Sequence, residues 1–436
     1  MPVKDFTPPR GMRDIDVEEM KIRRWVIEKI LNVLERYNFE LVEPSPIENL
    51  ETLEAKCGPS IRDEIYWFED KAGRKLGLRF DLTVGLARMV ATRQDLILPL
   101  KLCAISNMWR YDEPQYGRYR CFYQWDAEIF GSKVPEADAE IIALSVDVLK
   151  EVGLEDFEVK ISSRKLTEGF LNSIGIFESE KIEQVLRIID KYEKISEEEF
   201  LNELSKIGLK GENLSKILGF VSIRGEPNKV LNEVTDLLGK NRKALDGLEE
   251  LKGVIDSLKA FGKDSKCVLD MGVVRGIGYY DGIVFEVYDK VGVEVGAIVA
   301  GGRYDSLCKI YGRDLPATGV AGGVERLILT LRKANLLPKI EKSGKVFVAA
   351  VDGSIRGKIL ELVEKIRSWG IPADFDLRQR SLKKQLEYAN KLGFNFTVIV
   401  GEKELEKGTV KVRDMSRFEE FEVRLEKLKD FLMIKG

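Results

Sequence analysis

Four arginines, Arg110, Arg118, Arg275 and Arg326, stand beside glycine, strand or loop signals rather than on charged helical faces. A guanidinium is planar, always charged, and able to bind phosphate oxygens two at a time. Four of them converging would suit a triphosphate. Any one taken alone is better accounted for by an ion pair at the surface, and spacing does not by itself bring them together. Gln124 and Glu128 lie four residues apart within WRYDEPQYGRYRCFYQWDAEIFG, residues 109–131. A carboxylate aimed into a pocket there would bind a cationic or N–H-bearing group, whereas on an open strand it would meet solvent. The chain has no histidine. Imidazole bases, nucleophiles and metal ligands are therefore excluded, leaving carboxylates, guanidiniums, hydroxyls, backbone groups and whatever a substrate supplies.

The elements that must hold these groups are legible in outline. From 118 to 130 the residues alternate, with Tyr119, Cys121, Tyr123, Trp125, Ala127 and Ile129 on one parity and Arg118, Arg120, Phe122, Gln124, Asp126, Glu128 and Phe130 on the other. A period of two is a strand, and same-face residues recur at about 7 Å. On this reading one strand face carries two cations, an amide and two anions. DEPQYG before it, with Pro114 and Gly117, reads as a loop, so the whole is strand, loop, strand. Upstream, 17–38 repeats apolar residues at helical spacing, FELVEPSPIE is a strand closed by Pro44 and Pro46, IYWFED and KLGLRF flank a hairpin turn, and DLTVGLARMVATRQ is a helix. A further helix falls near 136–151. Residues 164–263 turn rich in Lys, Glu and Leu with helical periodicity. Strand and glycine return over 267–305, and TGVAGGVERLILTLRKANLL leads into a helix. After a boundary at 338–345, strand and helix alternate over about 90 residues, a usual domain size. The glycine clusters VRGIG, VAGGRYD and GVAGGVER match neither the phosphate-binding loop nor the dinucleotide fingerprint; tight turns account for them nearly as well.

Bulk properties narrow the class. The 436 residues are 44% hydrophobic, enough for two or three domains, and the net charge of −3 gives no global basic field, so any RNA site must be a local patch. Five scattered cysteines, Cys57, Cys103, Cys121, Cys267 and Cys308, include no CxxC pair. A disulfide framework or thiolate zinc site is not expected, and a reducing cytoplasmic setting is. The opening MPVKDFTPPRGMRDID lacks the apolar core of a signal peptide, and no apolar run reaches the length of a membrane span.

Several stretches together resemble the histidyl-tRNA synthetases of class II. MWRYDEPQYGRYRCFYQWDAEIFG is similar to that class's motif 2 in its histidyl form, VVRGIGYYDGIVFEV to the histidine-binding signature, GVAGGVERL to motif 3, and FELVEPSPIE to motif 1 with Pro46 in the proline slot. PPRGMRD, LRFDLTVGLAR, AGGRYDSL and IDKYEKISEEEF extend the likeness over nearly the whole chain, and LRFDLT is closer to archaeal and eukaryal wording than to bacterial. The resemblance implies an α+β fold: a class II antiparallel sheet flanked by helices, with a helical insertion and a C-terminal α/β anticodon-binding domain. It divides the chain into catalytic core at 1–163 and 264–337, insertion at 164–263 and anticodon-binding domain at 344–436.

It also implies ATP-dependent activation of histidine to histidyl-adenylate, transfer to the 3′ end of histidine tRNA, and a homodimer in the cytoplasm. Magnesium is expected with the nucleotide rather than at a metal site of the chain's own. By the same carry-over, Arg110 and Arg275 hold the α-phosphate, Arg118 the outer phosphates, and Arg326 stacks on adenine opposite Phe122. Asp81, Thr83 and Gln124 hold the α-amino group. Glu128 and Tyr280, with Tyr279 and Arg275 beside them, complete the histidine pocket. Gln115 is expected to read the tRNA acceptor end, and Arg378, Arg380, Lys383 and Lys384, beside Tyr388, to contact tRNA phosphates. The alternative is a non-catalytic relative, a regulatory subunit of ATP phosphoribosyltransferase or a sensor of uncharged tRNA. The family signature reads RGLDYYTG where this chain has RGIGYYDG. Asp281 with Gly282 either makes a hairpin turn or adds charge to the pocket, and Cys121 takes a slot usually polar.

Overall fold

The computed structural model describes residues 6–57, 59–275, 280–293, 295–339 and 345–435. Two compact units are present, 1–338 and 339–436.

Among the described residues of the first unit, nine strands form one sheet, in the order Glu40–Leu41, Leu100–Trp109, Cys121–Phe130, Ala317–Gly323, Val299–Arg303, Ile283–Asp289, Phe157–Ser163, Cys267–Asp270 and Arg224–Gly225. The run from Leu100–Trp109 to Phe157–Ser163 is antiparallel throughout, and parallel pairs occur toward the two edges. The chain first expected to be one strand over 39–48 is in fact two. Glu40–Leu41 joins this sheet, while Ile47–Asn49 pairs with Lys75–Leu78 in a separate three-stranded sheet. Pro44 and Pro46 lie between them, where a missing N–H ends a ladder.

Helix Val17–Arg36 begins at Asp16, whose carboxylate accepts from the Glu19 amide, and ends with Asn38 in the left-handed region at φ 61°. Helix Leu82–Ala91 is buried along most of its length and starts at Asp81, so that cap delivers Asp81 and Thr83 to the sheet's face. Residues 164–260 form six helices among those described, from Arg164–Ser173 to Arg242–Ala260. The last packs on the first and on Pro135–Glu151. At that crossing a Cβ on Gly169 would lie 2.3 Å from the Ala244 nitrogen, so the two helices meet backbone to backbone.

In the second unit Ala373–Phe375, Val346–Ala350 and Phe396–Val400 run parallel, and Thr409–Asp414 and Glu420–Arg424 continue antiparallel. Helix Arg356–Ser368 packs its Ile359, Leu362, Val363 and Ile366 into that unit's core.

Candidate active site

The site is built on strand Cys121–Phe130. The strand is shorter than the alternating pattern suggested. Arg120 donates its backbone N–H to the Gly11 carbonyl, and its side chain turns onto the Asp112 carbonyl (2.9 Å) and the Tyr111 ring (4.1 Å). Arg118 sits in the preceding loop, where its backbone exchanges hydrogen bonds with that of Gln115. The two cations thus precede the strand rather than lying on it. On the strand itself the polar parity is not solvated: Gln124, Asp126 and Glu128 are buried.

Room for these side chains comes from the partner strand. Gly319, Ala321 and Gly323 stand opposite Glu128, Asp126 and Gln124. Directly opposed residues of an antiparallel pair share a face. A Cβ at position 319 would fall 1.3 Å from Glu128 Oε2. The GVAGG stretch is therefore a clearance for buried carboxylates more than a turn.

A cavity of about 280 Å³ opens over this face, and its wall includes Asp81, Arg110, Arg118, Phe122, Gln124, Tyr280, Arg275 and Arg326. The four arginines do converge. Arg110 donates to the Phe80 carbonyl (2.9 Å) and to Gln124 Oε1 (3.4 Å), and its guanidinium lies over the Phe122 ring at 5.2 Å. Arg275, at φ 57°, donates to Glu286 Oε1 (2.6 Å), whose other oxygen accepts from Tyr288 (2.6 Å). A left-handed non-glycine residue costs about 1 kcal/mol or more, and here it turns the guanidinium toward the Tyr280 ring at 5.5 Å. Arg326 donates to the Ala297 carbonyl (2.8 Å). Burial, then the charges of Arg118, Arg110 and Arg275, lower the Arg326 guanidinium from its ordinary value. Like charges crowded around a cavity are a receptor for an anion with several charges.

Thr83, Asp126 and Glu128 stand behind that wall. Glu128, only 1% exposed, accepts from the Thr83 hydroxyl (2.7 Å) and from the Tyr304 hydroxyl. Asp126 accepts from Gln124 Nε2 (2.9 Å). Burial, then the charge of Asp81, raises the Asp126 carboxyl well above the usual range; burial, then Asp126, does the same to Glu128. Tyr304 and Asp126 had no assigned role in the sequence. Tyr304 sat unremarked in AGGRYDSL, and Asp126 was one more residue of the polar parity. Glu325, beside Arg326, is a third omission: it accepts from Arg23 (2.9 Å) and from the Tyr123 amide, tying the helix Val17–Arg36 to the strand.

Asp281 neither turns a hairpin nor enters the cavity. Its carboxylate accepts from the amides of Asp305 (3.0 Å) and Ser306 (2.9 Å). Cys121 is only half-buried and lies 3.7 Å from Asn107 Nδ2. Tyr279 and Gly278 lie outside the described residues. Gln115 is exposed in the loop. In the second unit Arg378, Lys383 and Lys384 are exposed, whereas Arg380 pairs with Asp376 (2.6 Å) and covers the Tyr388 ring at 4.1 Å. No described helix is long and apolar enough to cross a membrane.

Residues 11–327 match the family model of histidyl-tRNA synthetase, and 345–433 that of an anticodon binding domain. The chain belongs to the histidyl-tRNA synthetase family. Among its relatives, the histidine–tRNA ligase of Pyrococcus abyssi is 40% identical over 95% of each chain, and that of Thermococcus kodakarensis 38% identical over 98% of each. The crystal structure of histidyl-tRNA synthetase from Nostoc sp. PCC 7120 superposes with a TM-score of 0.82 at 28% identity, covering 99% of this chain and 100% of that one. A regulatory subunit/histidyl-tRNA synthetase from Bacillus halodurans, at 24% identity and a TM-score of 0.75, shares the fold. Membership of the histidyl-tRNA synthetase family accounts for the two-unit layout, with the arginine-rich cavity in one unit and the anticodon-type domain in the other.

Proposed function

We propose that the chain is a histidine–tRNA ligase. Histidine's carboxylate attacks the α-phosphate of ATP, giving histidyl-adenylate and pyrophosphate. The adenylate then acylates the 3′-terminal adenosine of histidine tRNA. Arg110 and Arg275 hold the α-phosphate and the charge that grows on it, Arg118 the outer phosphates, and Arg326 with Phe122 the adenine. Stabilisation of this kind needs no proton acceptor from the protein, which suits a chain without histidine. Asp81, Thr83 and Gln124 take the α-amino group. Glu128 and Tyr280 select the imidazole, because a site built to hydrogen-bond a ring N–H rejects side chains that lack it.

Magnesium enters with the nucleotide and is carried mainly by phosphate oxygens. Asp112, on the cavity wall, offers a carboxylate of the kind it takes. The core comprises 1–163 and 264–337, with 164–263 as an inserted helical domain. Residues 344–436 bind tRNA through Arg378, Lys383 and Lys384, and Gln115 reads the acceptor end. The working form is a cytoplasmic homodimer.

The observation that supports this most is the crowding of Arg110, Arg118 and Arg275 about Arg326 on a cavity wall shared with Asp81 and Gln124. ATP–pyrophosphate exchange with each amino acid in turn tests it. Exchange with histidine alone is expected. Exchange with none would favour a regulatory relative, and exchange with another amino acid a different synthetase.

A further inference from the structure

Behind the cavity wall, one hydroxyl faces two carboxyls. Thr83 Oγ1 lies 2.7 Å from Glu128 Oε1 and 3.2 Å from Asp126 Oδ2. A threonine hydroxyl has a single hydrogen to donate, though it can accept as well. If both carboxyls were ionised, one of these contacts would set two acceptors against each other in a site where Asp126 is 0% and Glu128 1% exposed. Such an unsatisfied buried charge is costly.

The distances say which carboxyl is the anion. Both Glu128 oxygens receive hydroxyl donors, Thr83 at 2.7 Å and Tyr304, within the short range of bonds to a charged acceptor. Among the described residues, Asp126 has the Gln124 amide at Oδ1, 2.9 Å away, and at Oδ2 the longer Thr83 contact of 3.2 Å. Gln124 is oriented independently, because its Oε1 accepts from Arg110. Among the described residues, the neighbouring elements add no cation in contact. Asp81 at the helix cap and Glu128 on the same strand are both acidic, Arg110 acts from the loop without touching Asp126, and Tyr304 follows the strand Val299–Arg303. The partner residues on either side, Ala104 and Ala321, are neutral.

We propose that Asp126 is a neutral carboxylic acid that donates its proton from Oδ2 to Thr83, leaving Glu128 as the single anion that selects the ring of the amino-acid substrate. The assignment rests on the histidine reading above and deepens it. Asp126 is a positioning residue. It fixes Thr83's hydrogen on Glu128 and keeps a second negative charge from competing for the ring N–H. Asparagine at 126 reproduces the pattern, since its NH₂ donates to Thr83 and its carbonyl accepts from Gln124. Alanine does not. Raising the pH would ionise Asp126, set two anions side by side and weaken histidine binding.

The full-length protein, labelled with ¹³C at the aspartate side-chain carboxyl carbons, tests this by NMR without any substrate. One resonance should remain protonated at pH 7 and vanish in Asp126→Asn. If no aspartate is protonated, or if the protonated one survives that substitution, the proposal is overturned. Should Asp126→Asn fail to fold, Thr83→Val serves instead. It removes the proton's acceptor and must shift that resonance, and an unmoved resonance again overturns the proposal. In pyrophosphate exchange, Asp126→Ala should raise the KM for histidine about tenfold, in line with one lost bond to a charged network. Asp126→Asn should recover most of it and lose the rise in KM on the alkaline side. An asparagine variant as impaired as alanine, or one that keeps the alkaline rise, overturns it too. Absence of exchange with every amino acid would sink the histidine reading, while the resonance would still decide where the proton is.

Discussion

Two charged regions of this chain hold their charges in opposite ways. The strand Cys121–Phe130 carries Gln124, Asp126 and Glu128 buried, each with fixed partners. The stretch 376–388 in the second unit leaves Arg378, Lys383 and Lys384 exposed. Buried groups are set in place before any ligand arrives and act through weakly screened fields. Exposed lysines are screened within a Debye length of about 8 Å at physiological salt. On the function proposed above, the first region serves discrimination and chemistry, and the second salt-sensitive attachment to a polyanion.

The sharpest way to break this contrast is Arg275→Ala. Arg275 is held by Glu286 in a left-handed backbone and faces the cavity. Removing a main donor to developing charge costs about 3 kcal/mol or more, so pyrophosphate exchange should fall at least about 100-fold, with the fold retained although the melting temperature drops, because Glu286 loses its guanidinium partner. A near-normal rate would remove Arg275 from the chemistry. Next in size is Glu128→Ala. A lost hydrogen bond to a charged group is worth about 1.5–3 kcal/mol, so the KM for histidine should rise by about 10- to 100-fold while that for ATP hardly moves. Equal changes in both would deny Glu128 its selecting role.

In the second unit, the combined change of Arg378, Lys383 and Lys384 to alanine should leave histidine-dependent exchange intact and weaken tRNA binding. Each lost phosphate contact lowers the slope of log affinity against log salt by about 0.7 for a single strand. A drop of about 2 in that slope is therefore expected, and an unchanged slope would place the RNA elsewhere.

The pH dependence of stability should have opposite signs in the two regions. Asp126 and Glu128 have raised carboxyl values when folded, so the native state holds more protons and stability falls as pH rises above the unfolded value of about 4. Asp376 behaves in reverse. Burial opposes ionisation, but hydrogen bonds from the Arg380 amide and guanidinium outweigh it and hold the carboxyl below its usual range. Its contribution is present above the unfolded value of about 3.9 and is lost as pH falls through the folded one. Amide exchange, compared between wild type and variant at matched pH, reads each unit separately. Asp126→Asn should gain protection in helix Leu82–Ala91 more at pH 8 than at pH 5. Asp376→Asn should lose protection in its own unit at pH 7, with the loss narrowing in acid. The same sign in both regions would void the contrast.

How much of this could be read beforehand follows the same division. Period-two and period-3.6 patterns are local, so strand Cys121–Phe130 and helices such as Val17–Arg36 and Leu82–Ala91 were visible with their ends a few residues off. That Arg118 and Arg120 precede the strand was not. It depends on the Gly11 carbonyl taking the Arg120 amide from 109 residues away. Arg110, Arg275 and Arg326 could be singled out by their surroundings, but their meeting is a product of the strand order, which sequence spacing does not contain. Tyr304 and Glu325 gave no signal beyond membership of familiar stretches, because their partners, Glu128 and Arg23, are distant in sequence. The glycines of GVAGG pointed to turns, and only the register opposite Glu128 explains them as space.

The smallest expected effect is the most telling about the second region. Arg380 shares its sequence run with Arg378 and Lys383, and composition alone would count it as one of four equal phosphate contacts. Its guanidinium is instead engaged by Asp376 at 2.6 Å and lies over the Tyr388 ring at 4.1 Å, with the side chain 21% exposed. Moving it to a phosphate would break a charge-assisted bond and uncover the ring. Arg380→Ala should therefore cost the unit about 1 kcal/mol or less of stability, the range of partly exposed ion pairs and cation–π contacts. The salt slope of tRNA binding should stay within about 0.3 of wild type, against the 0.7 expected for Lys383→Ala. If Arg380→Ala flattens the slope as much as Lys383→Ala does, the intramolecular pair yields to RNA. The second region would then also be one whose charges rearrange on binding, unlike the fixed set behind the cavity.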